Sequence, residues 1–308
     1  MVYEYAIDPG AVVDWRHEAE YRFFANEFGL GSPRAMAAYP RFSQWRHKAL
    51  CAARADGLNG LDEARLTALL GVLQDSKIER GRSPYDVTKE WLVNAEDEHT
   101  RKSFHAIVSA ENPRGNPDVM PTSIADVLTH PKWCCASSLE VPRQPNDMAA
   151  CVRHMLLLAR TVIFIDPYFH PGSPRYKDTI QAFLAILVNP GATGASRIEV
   201  HTDYSRHIDP SYVGVFQRDM PALTPSGMQV SLRRWRQRSN GEKLHDRYVL
   251  TNLGAVEFSV GLDKGNPGES TRVHLLNSRL YRSCWKNYVE TPAFDSPETP
   301  VTITGTRT

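Results

Sequence analysis

The sequence EKLHDRYVLTNLGAVEFSVGLDKG, from Glu242 to Gly265, is the most informative stretch of the chain. Two short segments rich in apolar residues lie on either side of Asn252-Leu253-Gly254, a pattern typical of a β-hairpin. His245 and Arg247 stand at the mouth of this hairpin. Residues i and i+2 of a strand point to the same face, so we expect these two side chains to lie side by side. The segment is therefore either an ordinary hairpin with a polar rim or a site that holds and attacks a phosphate.

The residues on both sides of the hairpin predict a mixed α/β sheet. Helical periodicity and strand-like alternation take turns through this part of the chain, and several strands then follow one another. We predict helices over residues 147–160, 175–187, 210–220 and 278–290, and strands over residues 161–166, 197–203, 228–236, 245–251, 255–262 and 272–276. The Thr-rich tail after residue 295 is expected to be extended or frayed.

The first part of the chain predicts a separate helical domain. Segments rich in helix formers, with apolar residues at helical spacing, cover residues 14–30, 61–74 and 83–110. We find no strand pattern of any strength among them. Residues 111–146 are dense in Pro, Gly, Asn and Asp, which indicates loops and a domain boundary. We therefore predict a helical domain over residues 1–140 and an α/β domain over residues 141–308.

The composition is that of an ordinary globular protein. Of the 308 residues, 42% are hydrophobic and 23% are charged, and the formal net charge is +1. Any basic surface must therefore be local. The five cysteines are odd in number and include no C-x-x-C pair, which favours a reducing compartment. No signal peptide or membrane-spanning run is recognisable, so the sequence predicts a cytoplasmic protein with no membrane partner.

A histidine beside an arginine suits the cleavage of a phosphodiester. Negative charge develops on the phosphoryl oxygens during the reaction, so fixed cations or donors must surround them. A nucleophile must attack the phosphorus and an acid must protonate the leaving oxygen, and an imidazole can do either. The planar guanidinium of Arg247 can hold two phosphoryl oxygens while His245 attacks. This chemistry requires neither a metal nor another cofactor.

The hairpin and its surroundings resemble the phospholipase D-like superfamily. The HKD motif of that family reads His-x-Lys, four residues, Asp, six residues and Gly-Ser, and the elements over residues 147–290 follow the order of one family repeat. The resemblance implies that two repeats face each other to make one active site. One histidine then becomes a phosphohistidine and the other serves as the general acid. A chain with one repeat is accordingly expected to form a homodimer.

The motif carries over to this chain only in part. His245 matches the histidine, Arg247 stands at the lysine position and Asn252 stands at the aspartate position. Glu257 falls where nucleases of the superfamily often carry an acid that supports the partner histidine, and Ser259 is shifted by one from the expected serine. The resemblance thus implies His245, Arg247, Glu257 and Ser259 as catalytic residues. We find no second H-x-K or H-x-R motif in a strand context.

Several candidate residues also fit structural roles. Arg247 fits an ion pair with a neighbouring acid, and Asn252 fits the turn of the hairpin. Asp166 and Tyr168 follow the first predicted strand, where α/β folds place ligand-binding groups, but Asp166 equally fits a turn or a helix N-cap. His170 lies on the same predicted rim.

A basic segment leads into the hairpin. Between Ser231 and Arg247 there are six basic residues against two acidic ones. We predict that Arg234 and Arg236 line a groove for an anionic polymer and that Trp235 stacks on a base. The alternative is a solvated edge strand that is protected by its charges.

These features predict a phosphodiesterase of the phospholipase D-like type, with DNA or RNA as the favoured substrate. The alternative is a non-catalytic subunit that binds phosphate or nucleic acid within a larger complex, for example in antiviral defence, and that docks through its N-terminal helices. Cleavage of a lipid phosphodiester is less favoured because no basic amphipathic helix or apolar lid is evident.

Overall fold

The chain divides into two compact units. The computed structural model describes residues 1–81 and 83–308. One unit comprises Val2–Ala136, and the other comprises Ser137–Thr308 together with Met1. The boundary predicted from the sequence lies between residues 140 and 141. None of the helices in the described residues is both long enough and apolar enough to cross a bilayer.

The first unit contains a parallel β-sheet, so the prediction of a helical N-terminal domain is wrong. The strand order is β3-β2-β1-β4-β5, and each neighbouring pair is parallel. The strands are β1 (Tyr3–Ile7), β2 (Arg34–Ala38), β3 (Ile78–Glu79), β4 (Ala106–Val108) and β5 (Val119–Met120). The helices are α1 (Ala11–Asp14), α2 (Glu18–Glu27), α3 (Phe42–Ala55), α4 (Gly60–Asp75), α5 (Trp91–Arg101) and α6 (Ile124–Thr129).

These strands give no sequence signal because they are short and buried on both faces. Within β1, Tyr5 and Ile7 belong to one hydrophobic cluster, whereas Ala6 belongs to the other. A strand that is covered on both faces has no polar side and therefore shows no alternation. All the residues of β2 are buried, and four of them are the helix formers Ala and Met. The predicted helix over residues 83–110 is instead α5 followed by β4.

The second unit is a mixed α/β sheet, which confirms the predicted fold class at this level. Eight strands are ordered β13-β9-β8-β7-β10-β11-β12-β6. The strands are β6 (Ser138–Pro142), β7 (Thr161–Ile165), β8 (Arg197–Asp203), β9 (Gln229–Trp235), β10 (Tyr248–Thr251), β11 (Gly254–Phe258), β12 (Ser270–Leu275) and β13 (Val301–Thr304). The helices are α7 (Pro145–Leu158), α8 (Pro174–Ile186), α9 (Tyr212–Asp219) and α10 (Ser278–Trp285), and a π-helical turn (Lys286–Glu290) follows α10.

The sequence analysis missed two strands of this sheet, and they are its two outermost strands. β6 belongs to the segment that was expected to be loop, and it pairs with β12. β13 belongs to the Thr-rich tail, and it pairs antiparallel with β9. The tail is therefore extended and paired, and β9 is an interior strand with a neighbour on each side.

Helices cover both faces of the sheet. On one face, Phe164 of β7 stacks on Phe183 of α8 with 5.3 Å between the ring centroids. On the other face, the ring centroid of His201 lies 6.0 Å from that of Tyr288 in the π-helical turn. Ile165 pairs with both Tyr248 and His201, so Tyr248 shares the second face with His201.

The strand directions bring several candidate residues to one edge. β7, β8 and β9 run parallel, β10 runs antiparallel to β7, and β11 runs antiparallel to β10. The carboxyl ends of β7, β8, β9 and β11 therefore meet the amino end of β10. We call this end of the strands the histidine edge. It is formed by the segments 166–170, 203–207, 236–238, 245–247 and 259–263. Asn252 lies in the β10–β11 turn, at the opposite edge of the sheet.

Candidate active site

The centre of the histidine edge is a hydrogen-bonded group formed by three residues that are close in sequence. Nδ1 of His245 contacts Oδ1 of Asp246, and the hydroxyl of Tyr248 donates a hydrogen bond of 2.7 Å to Oδ2 of the same carboxylate. Leu244 is buried and fixes the chain immediately before β10. The side chain of His245 is 59% exposed, so the imidazole is held at one nitrogen and still reaches solvent.

This arrangement sets the chemistry of the imidazole. An ionised carboxylate can only accept hydrogen bonds, so Nδ1 of His245 carries the proton that faces Asp246. The other ring nitrogen, Nε2, has no hydrogen-bond partner among the described residues. A ring oriented in this way presents a lone pair on Nε2, which can act as a nucleophile or as a base.

The contact between Asp246 and His245 was not predicted from the sequence, which assigned Glu257 to support the histidine of a partner repeat. The signal was present, because an aspartate directly follows the histidine. Glu257 pairs with Tyr248 across the hairpin, and no contact joins it to His245 in the described residues. Instead, Glu257 lines a cavity on the face of the sheet that α10 covers.

Arg247 lies two residues after His245 in the sequence and points toward the rim formed by the end of β7. The centre of its guanidinium lies 5.0 Å from the centroid of the Tyr168 ring. Its Nε is buried and has no hydrogen-bond partner within the described residues. No ion pair joins Arg247 to Asp246 in the described part of the chain, because that carboxylate faces His245. The guanidinium is therefore available to an anion at this edge.

Tyr168 is the point where two cationic side chains converge. The centre of the Arg206 guanidinium lies 4.1 Å from the ring centroid of Tyr168, and Nε of Arg206 lies 3.4 Å from Oδ2 of Asp203. Tyr168 itself is 41% exposed. The ring of Tyr168 therefore brings the guanidinium groups of Arg206 and Arg247 together at the rim. Arg206 was not predicted, because it stands in a loop without a regular pattern.

Asp166 shapes this rim and is closed off from solvent. It is 1% exposed, and its carboxylate accepts hydrogen bonds of 2.9 Å from the backbone N–H groups of Tyr168 and Leu262. Burial raises the pKa of Asp166, and the charge of Arg247 opposes that rise. The turn role considered for Asp166 is therefore the one present, and its carboxylate fixes Tyr168 and the loop that follows β11.

Trp235 and Arg234 do not line a substrate groove, so these two predictions are wrong. Trp235 is 2% exposed, and its indole N–H donates a hydrogen bond of 3.0 Å to Nδ1 of His201. Arg234 is 6% exposed and donates to the backbone oxygen of His207 at 2.8 Å. Both side chains are buried because helices cover the faces of the sheet and β13 covers the edge of β9. The indole of Trp235 cannot stack on a base in this position.

His201, unlike the exposed His245, is fully buried and has a structural role. An indole N–H can only donate, so Nδ1 of His201 is unprotonated and its Nε2–H donates to Glu199 at 2.6 Å. Burial lowers the pKa of His201. Burial alone would raise the pKa of Glu199, but hydrogen bonds from His201 and Arg197 lower it to about 2.

Ser259 and Asn252 also have backbone partners instead of substrate-facing positions. The Ser259 hydroxyl donates to the backbone oxygen of Arg272 at 3.0 Å and accepts from its N–H at 3.2 Å. The side-chain oxygen of Asn252 accepts from the N–H groups of Arg160 and Thr161 at 2.8 and 3.0 Å. The serine therefore extends the pairing of β11 with β12. The asparagine links the β10–β11 turn to the start of β7, at the end of the strands opposite to the histidine edge.

Arg236 remains a candidate for substrate binding. It is exposed, and its guanidinium centre lies 4.8 Å from the ring centroid of Tyr204. Together with Arg206 and Arg247, it places three guanidinium groups on the histidine edge. His170 also lies on this edge, with its ring centroid 5.7 Å from that of His207.

Within the described residues, no group of three or more His, Cys, Asp and Glu side chains is arranged to hold a metal ion. No protein-family model matches the chain, and no curated protein matches it either.

Proposed function

We propose that the histidine edge cleaves phosphodiesters by the phospholipase D-like mechanism, with nucleic acid as the substrate. The observation that carries the proposal is the exposed His245, held at Nδ1 by Asp246 with Nε2 unpartnered. Arg247 supports it, because a half-buried guanidinium stands two residues away without an ion-pair partner among the described residues.

The reaction divides into two steps that use the same nitrogen. Nε2 of His245 forms a bond to phosphorus, and the bond between phosphorus and the leaving oxygen breaks with its electrons on that oxygen. A second imidazole, in its protonated form, gives the leaving oxygen its proton. Water then attacks the phosphohistidine, loses a proton to the second imidazole, and the electrons of the N–P bond return to His245. Asp246 stabilises the positive charge that His245 carries between the two steps.

The arginines provide the charge that this transition state needs. In the proposed mechanism Arg247 binds the phosphoryl oxygens at the reacting phosphorus. Arg206 and Arg236 are exposed and extend the positive charge along the edge, which suits the neighbouring phosphates of a polymer. The second imidazole is proposed to come from His245 of a second copy of the chain, in a homodimer.

The proposal is tested with single- and double-stranded DNA and RNA as substrates. Wild-type protein is expected to cleave at least one of them, and His245→Ala is expected to abolish that cleavage. His47→Ala, which removes an exposed histidine from α3, serves as the matched control and is expected to retain activity. Cleavage by His245→Ala at the wild-type rate would refute the proposal.

Binding without cleavage is the second candidate function. Arginine in place of the family lysine and the distance of Asn252 from the histidine edge both favour it. In that case the exposed arginines bind a phosphate backbone within a larger complex. Salt-sensitive nucleic-acid binding that Arg236→Ala weakens, together with no cleavage of any of the four substrates, would favour this function over catalysis.

A further inference from the structure

A cavity of about 170 Å³ lies behind the His245–Asp246 pair, between the β10–β11 hairpin and α10. Its wall includes the carboxylates of Asp246 and Glu257, the rings of Tyr248 and Tyr288 and the side chain of Leu280. A water molecule occupies about 30 Å³ of liquid, so a space of this size can accept a small organic molecule.

Polar groups in this cavity lack partners. The Tyr288 side chain is 5% exposed, and its hydroxyl has no hydrogen-bond partner among the described residues. Glu257 also has no hydrogen bond or ion pair in the part of the chain that the structure describes. The Tyr288 side chain is therefore almost fully buried and turns an unpaired hydroxyl toward the cavity, and the partly exposed Glu257 carboxylate lies in the same wall, so both oxygens can bind a ligand there.

The charge of the cavity selects a cation. Burial raises the pKa of Tyr248, and the neighbouring Asp246 and Glu257 raise it further. Burial and the same two carboxylates also raise the pKa of Cys284, which keeps its thiol neutral. Lys243 is the basic side chain among the described lining residues, and it is exposed. The Asp246 and Glu257 carboxylates therefore line the cavity with negatively charged oxygens that accept hydrogen bonds.

We propose that this cavity binds a small alkylammonium ion. A primary ammonium donates three hydrogen bonds, and Glu257, Asp246 and the Tyr288 hydroxyl offer three oxygen acceptors. The face of a tyrosine ring also attracts an ammonium group. Leu276 and Leu280 provide an apolar wall for the alkyl chain. A metal ion is less well served, because no three ligating side chains converge on one point in the described residues.

The position of the cavity predicts an effect on the candidate active site, and this second part rests on the proposed function. Asp246 and Tyr248 belong both to the cavity wall and to the group that holds His245. An ammonium ion at Asp246 competes with the imidazole for the carboxylate. Bound alkylammonium is therefore expected to lower the rate of cleavage.

The test uses the full chain in a buffer without amines, at constant ionic strength. Calorimetric titration with n-butylammonium chloride is expected to show saturable binding, whereas n-butanol, its neutral counterpart, is expected to show none. Glu257→Gln is expected to weaken butylammonium binding at least tenfold. Glu290→Gln removes an exposed carboxylate that does not line the cavity, and it is expected to bind like wild type.

Two further proteins separate this proposal from the proposed function and from misfolding. Leu280→Trp fills the rim of the cavity and is expected to block binding, with thermal unfolding recorded to show that the variant is folded. His245→Ala is expected to bind butylammonium at least as tightly as wild type, so the cation site stands even if cleavage is never observed. A cavity that holds only water, seen as no saturable binding, would overturn the proposal. Equal binding of butanol, or wild-type affinity in Glu257→Gln, would overturn it as well.

Discussion

The neighbours of a histidine, more than its place in a motif, determine what it can do. His245 and His201 both contact a carboxylate, but the first is 59% exposed at its side chain and the second is fully buried. The sequence analysis expected His245 and Arg247 to share one face of a strand, but β10 begins at Tyr248, so both residues lie in the segment that leads into the strand. The sequence analysis also misjudged Trp235, because the burial of that ring depends on partners that are distant in sequence.

At this scale we predict that Asp246→Asn slows phosphodiester cleavage by about a hundredfold or more, because the amide no longer fixes the Nδ1–H form of His245 or stabilises its positive charge. The measurement is kcat on whichever nucleic acid the wild-type protein cleaves. Glu257→Gln, which removes the acid that the sequence favoured, is expected to change kcat much less. The reverse ranking of the two variants would contradict the assignment of Asp246.

A second prediction at this scale concerns the pH dependence of stability. Burial lowers the pKa of His207 from 6.5 to about 4, and the nearby His170 adds to the effect. Between these pH values the unfolded chain binds a proton that the folded chain does not, so the free energy of unfolding falls as the pH is lowered through this window. His207→Phe keeps a ring against Tyr212 and removes the titrating group.

The measurement is urea unfolding of both proteins at pH 7 and pH 4.5. We expect the loss of unfolding free energy between the two pH values to be smaller in His207→Phe by about 1 kcal/mol, a figure reduced for the partial exposure of the ring. His47→Gln is the control, and its loss should equal that of wild type. An equal loss in His207→Phe and wild type would show that His207 does not carry this dependence.

Among the helices and strands, the sequence predicted those that have one apolar face and one more polar face. β8 coincides with its predicted range, and α7 and α8 lie within two residues of theirs. The strands of the first unit were missed because helices cover both of their faces, so nothing alternates. β13 was left open because four residues are too few to separate a strand from an extended tail.

We predict that Ile303→Ala, within β13, costs about 2–3 kcal/mol of unfolding free energy. Ile303 is 6% exposed and lies opposite Val230 of β9, so its removal leaves a cavity at the edge of the sheet. Thr302→Ala, on the exposed face of the same strand, is the matched control and should cost less than about 1 kcal/mol. Chemical denaturation measures both. A frayed tail would instead give the two variants the same small effect.

Both units of the whole molecule are of the α/β type, whereas the sequence predicted one helical domain and one α/β domain. The first unit has its own parallel sheet and two hydrophobic clusters. The second unit carries the histidine edge, where the exposed His245 contacts the carboxylate of Asp246. In the proposed mechanism the second imidazole comes from His245 of another copy of the chain.

This requirement predicts a dimer in solution. Sedimentation equilibrium is expected to give twice the chain mass of 34.7 kDa at concentrations where the protein is active. Mixed dimers of wild type and His245→Ala should retain nucleic-acid binding while losing most of their cleavage activity. A protein that stays monomeric while it cleaves would exclude a shared site.

Trapping a covalent intermediate would show directly whether His245 is the nucleophile. Wild-type protein is mixed with a cleavable oligonucleotide, quenched in alkali within the first turnover, and analysed by intact mass and peptide mapping. We expect a phosphoryl-oligonucleotide adduct on the peptide that contains His245, and no adduct in His245→Ala. Rapid cleavage with no adduct at any quench time, or with an adduct on a different residue, would contradict it.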